Sequence, residues 1–94
     1  MLRIYTDYSS ESTNFTVAGK LVGPWVIVLE ECWQTAVVER PGSALLVNLV
    51  DVTFIDDAGR ELLTRMCRQG VALVPTGVLI KGIVEEIEAD MGRG

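Results

Sequence analysis

The sequence predicts a small α/β domain, a mixed β-sheet with flanking helices in the order ββαβαβα. Two short segments near the start alternate apolar and polar residues, Ala44 to Val50 is a nearly continuous apolar run, and three longer segments repeat apolar residues at helical spacing. A chain of 94 residues and 10.3 kDa accommodates one domain, 1–94, with one core. Surface scaling leaves roughly 5,400 of about 14,900 Å² exposed, so the core is large enough without disulfides.

Leu2 to Thr6 reads apolar, charged, apolar, aromatic, polar: a half-buried strand. Asp7 to Thr13 is polar and rich in turn formers. Asn14 to Gly19 alternates again and puts Phe15 and Val17 on one face; the short connection suits an antiparallel pair. Pro24 follows Gly23, and at a first helical position its φ is preset and its missing N–H costs nothing, so a helix is expected from there to about Glu39. Trp25 to Leu29 also fits a strand by propensity; length and the Gly-Pro start favour helix. Val26, Leu29, Trp33 and Ala36 or Val37 recur at helical spacing, while Trp25, Ile27, Val28 and Val38 widen the apolar surface beyond one stripe. Trp33 is assigned to the core; Trp25 is open to either reading.

After Arg40-Pro41-Gly42, the run Ala44 to Val50 has the pattern of a central strand buried on both faces, and Asp51 to Ile55 reads as a link. A helix then turns Leu62, Leu63, Met66 and Cys67 inward and leaves Arg60, Glu61, Thr64, Arg65 and Arg68 in water, up to a C-terminal cap at Gly70. Val71 to Val74 is the next strand. Pro75-Thr76-Gly77 turns into a final helix with Leu79, Ile83, Val84, Ile87 and Met91 inward and Lys81, Glu85, Glu86 and Glu88 outside; Gly82 is expected to permit close packing on the sheet. Right-handed crossovers make the later strands parallel, with the first strand antiparallel at one end.

Composition excludes several function classes. Thirteen acidic against eight basic residues give a net charge of −5, which disfavours nucleic acid and anionic membranes as partners. The absence of histidine removes Ser-His and Cys-His catalysis and His-ligated metals. Cys32 and Cys67 form no C-x-x-C pair, which fits a reducing cytoplasm. Met1 to Tyr5 lacks the apolar region of a signal peptide, and no uncharged apolar run reaches the roughly 18 residues of a membrane span, so export and membrane insertion are not expected. Gly19-Lys20 has no upstream glycine, position 14 being Asn, and no G-x-G-x-x-G occurs, so no nucleotide or other cofactor is implied.

The segment Val52 to Leu63 is where function is expected. Asp56 and Asp57 stand where a buried strand passes into an amphipathic helix, and one cap plus one favourable dipole contact accounts for both. The functional reading adds an acidic corner beside the small Ala58 and the close-packing Gly59, fit for a protein partner. Asp51, Asp56 and Asp57 could also be read as a magnesium-binding phosphoacceptor pocket. Against that, no second acidic pair ends another strand, and Lys81 is the only plausible lysine partner.

An ordered set of segments resembles the STAS domain family of sulphate transporters and anti-sigma factor antagonists. It comprises Phe15 to Leu21, Leu46-Val47-Asn48-Leu49, Val52-Thr53-Phe54-Ile55-Asp56, Gly59 with Leu62-Leu63, and Gly70-Val71-Ala72-Leu73. The resemblance covers most of the chain and implies a non-enzymatic, regulated protein-binding module of bacterial signal transduction and transcription control. Its partner would be an anti-sigma factor or a switch-protein kinase, with Thr53, Asp56, Asp57, Ala58, Gly59, Arg60 and Arg65 as contact residues. Phosphoregulated members carry Asp-Ser, then Ser or Thr, then Gly, and here the phosphorylated hydroxyl is replaced by Ala58 and the preceding serine by Asp57. The usual switch is therefore expected to be absent, with Thr53 and Thr64 the nearest hydroxyls. An alternative is an accessory subunit of a membrane transporter, docked or self-associated as a homodimer through the wide apolar face of the Trp25 to Val38 helix.

Overall fold

The computed structural model describes residues 2–75 and 77–92. They form β1 (Leu2–Tyr8), β2 (Ser12–Leu21), α1 (Pro24–Glu39), β3 (Ala44–Ile55), α2 (Asp57–Arg68), β4 (Ala72–Val74) and α3 (Val78–Gly92). The sheet order is β1-β2-β3-β4, with β1 antiparallel to β2 and the remaining neighbours parallel. The ββαβαβα order and the mixed sheet are thus as the sequence predicts. Thr76 and the side chains of Leu79 and Met91, which figure in that reading, lie outside the described residues.

The strands run longer than their apolar cores. β1 continues to Tyr8 and β2 begins at Ser12, because Ser9 and Ser12 close the turn: Ser9 N donates to Ser12 O at 2.9 Å and the two hydroxyls lie 2.6 Å apart. Asp51 to Ile55 is strand and not link, since β2 offers a partner as far as Leu21↔Ile55. Two register shifts, at Thr16/Ala18 and Gly19/Lys20, keep the long pair together, as bulges do in twisted strands.

The expectation that Ala44 to Val50 is buried on both faces is corrected. β2 to β3 and β3 to β4 step in the same direction across the sheet, so two right-handed crossovers place α1 and α2 on the same face. On that face Phe15, Val17, Val47, Leu49 and Leu73 join Leu29, Trp33, Leu62, Leu63, Met66, Val84 and Ile87 in one buried cluster. On the other, Asn14, Thr16, Leu46 and Asn48 are half-buried, and Val50, Ala72 and Val74 are exposed.

α2 ends as expected, with Gly70 at φ 91° and its amide donating to Cys67 O at 3.0 Å. In α3 the inward residues are Ile80, Val84 and Ile87, with Ile83 half-buried. Gly82 does not serve close packing: it is exposed, and a Cβ there would meet nothing within 4 Å.

Candidate functional site at the strand-to-helix corner

β3 delivers Val52 and Ile55 to the core and then turns outward at Asp56. Asp56 has extended backbone, φ −86° and ψ −178°, and is the N-cap of α2. Its Oδ1 accepts the Gly59 amide at 2.8 Å and its Oδ2 accepts the Gly23 amide at 2.9 Å. Its own N–H donates to Leu21 O at 3.2 Å. The Gly23 N–H first, and the Gly59 N–H second, hold its carboxyl below the ordinary aspartate range, as hydrogen bonds to the charged form do.

Gly59 lets the helix come this close. A Cβ at that position would stand 2.6 Å from Leu21 O and 3.0 Å from Ile55 Cγ2, so any larger residue forces α2 off the ends of β2 and β3. Asp56 and Gly59 therefore build the frame of the corner.

The exposed residues differ. Asp57 and Ala58 are open to solvent at the first turn of α2, where the carboxylate of Asp57 complements the helix dipole. Asp57, Arg60 and Arg65 line one groove of about 690 Å³ along α2, with Glu61, Thr64 and Arg68. Arg60 reaches Glu86 of α3 at 2.9 Å and Arg65 reaches Glu30 of α1 at 2.6 Å, so both arginines tie α2 to its neighbours while edging the groove. Thr53 is exposed on β3, does not line the groove, and its Oγ1 donates to Gly19 O at 3.4 Å. Thr64 Oγ1 donates to Arg60 O at 2.8 Å.

Two participants escaped the sequence reading. Gly23 contributes a backbone N–H to Asp56, for which no side-chain pattern exists. Phe54 is 49 % exposed at the end of β3, opposite Lys20 and beyond the register shift; strand alternation from Val52 would have turned it inward, so the sequence carries no signal for its exposure. Asp51, Asp56 and Asp57 do not assemble: among the described residues no group of three His, Cys, Asp or Glu side chains is placed to hold a metal ion.

No protein-family model matches the chain, and no curated protein matches it. Among solved structures it is similar to a DUF3478-family protein with a SpoIIAA-like fold from Shewanella loihica PV-4. The TM-score is 0.56 at 17 % identity, over 83 % of this chain and 70 % of that one. The fold is SpoIIAA-like. This is the fold of the STAS and anti-sigma antagonist domains, which the ordered segments resemble. Among the described residues of this SpoIIAA-like domain, no helix is long and apolar enough to cross a membrane.

Proposed function

We propose that this SpoIIAA-like domain is a non-enzymatic regulatory module that binds a protein partner through the corner and the exposed side of α2. The observation that carries the reading is the division of labour between adjacent acids. Both oxygens of Asp56 are committed inside the molecule, so the corner is fixed before any partner arrives and little ordering is needed on binding. Asp57 and Ala58 stand exposed on that fixed support. A cytoplasmic anti-sigma factor or switch-protein kinase is the partner class that the family resemblance suggests.

The module is unswitched at its usual position. Ala58 has no hydroxyl to accept phosphate, and Asp57 supplies a charge of −1 where a phosphate would supply about −1.5 to −2. The hydroxyls of Thr53 and Thr64 donate to backbone carbonyls, an ordinary structural use for threonine. Affinity capture from the native extract tests the proposal: wild type retains a discrete protein that Ala58→Arg and Asp57→Arg lose. Retention by both variants would count against this surface.

A second reading, an accessory subunit docked through α1, is favoured by Ile27 at 57 % and Val38 at 77 % exposure on that helix. Such a stripe binds hydrophobic dye in the isolated chain and stops doing so when covered. A chain that binds no dye would argue against it.

A further inference from the structure

The sheet ends on an unusually regular strand. β1 pairs β2 without interruption from Leu2↔Gly19 to Tyr8↔Thr13, and among the described residues no strand pairs its other side. It contains no proline and no bulge, two devices that commonly blunt sheet edges, and its two charged residues, Arg3 and Asp7, are of opposite sign and so do not repel a second copy as a row of like charges would. Arg3, Tyr5 and Asp7 are exposed on the face that the helices leave uncovered, and Ile4 and Thr6 are half-buried on the helical face. The ion pairs among the described residues, Arg60–Glu86 and Arg65–Glu30, engage neither Arg3 nor Asp7.

Arg3 and Asp7 stand two residues either side of Tyr5 and carry opposite charges. We propose that β1 is the contact edge of a homodimer, pairing antiparallel with β1 of a second copy about a two-fold axis at Tyr5. In that register Arg3 lies opposite the partner's Asp7 and Asp7 opposite the partner's Arg3, while the two Tyr5 rings meet on the axis. Opposite charges directly across a strand pair attract and like charges repel, so the edge is complementary to itself and to this register. The helical face fits as well. A groove of about 310 Å³ between β1 and α1 is lined by Thr6, Tyr8, Val28 and Cys32, among others. The partner's Ile4 falls opposite Thr6 and the partner's Leu2 opposite Tyr8, which is 63 % exposed in the single chain. One isologous contact thus extends the four-stranded sheet to eight strands and covers both flanks of the edge. The inference is independent of the regulatory reading, which uses α2.

The test is a charge swap read by sedimentation of the full chain. Wild type sediments as a dimer. Arg3→Asp and Asp7→Arg each set like charges opposite twice and weaken the dimer about tenfold or more, while circular dichroism stays that of the folded chain. The double variant R3D/D7R regains the dimer, and so does an equal mixture of the two single variants, whose edges are complementary only to each other. A monomeric wild type, a dimer indifferent to the single changes, or single-variant monomers rescued by neither combination would each overturn the proposal.

Discussion

The Oδ2 atom of Asp56 accepts a hydrogen bond from the Gly23 amide at 2.9 Å, across 33 residues of chain. That contact ties the turn before α1 to the start of α2, while Oδ1 caps α2 through Gly59. The acid in the most motif-like position is thereby a structural brace, and its neighbour Asp57 is the one exposed to solvent.

The brace makes stability depend on acid. Because the folded-state pKa of Asp56 is lowered, its contribution is fully present above the ordinary aspartate pKa of about 3.9 and is lost as pH falls through the lowered folded value. Asp56→Asn keeps one acceptor and cannot accept from both amides. Thermal midpoints measured against pH should show the variant below wild type at neutral pH, with the gap closing on acidification below about pH 4. A gap independent of pH would show that the charge of Asp56 is immaterial.

Two glycines in helices should respond oppositely to alanine. Gly59→Ala drives a methyl against Leu21 O and is expected to cost about 1–3 kcal/mol. Gly82→Ala enters open space and should stabilise α3 by about 1 kcal/mol through helix propensity. Urea unfolding of both variants, with unchanged m-values, measures the pair.

The Arg65–Glu30 bridge is short at 2.6 Å, but its side chains are 52 % and 32 % exposed. A double-mutant cycle should return a coupling below about 1 kcal/mol that shrinks as salt is added. A larger, salt-insensitive coupling would make it a principal link between α1 and α2.

The order of elements was legible because each carries its own period and punctuation. Phe15 and Val17 mark β2, Pro24 opens α1, and Leu62, Leu63 and Met66 mark the buried side of α2. The capping role at the corner was equally local, an acid three residues before a glycine at a helix start. The one-sided sheet was not legible: Leu46 and Val50 belong to an apolar run, yet lie on the uncovered face because both crossovers wind the same way, a property of the whole chain. The Gly23 to Asp56 bond was hidden for a related reason, since one partner is a backbone amide and the other lies 33 residues away. Gly82 misled because an exposed helical glycine and a close-packed one look alike without their surroundings.

The first turn of α2, held from beneath by Asp56, is the proposed contact surface. It is tested most directly by calorimetric titration of the captured partner against wild type and Ala58→Arg, with thermal melts of both proteins alongside. The arginine is expected to abolish measurable binding while the melting midpoint stays within a degree or two, as for other exposed substitutions. Equal affinity in the two proteins would contradict it.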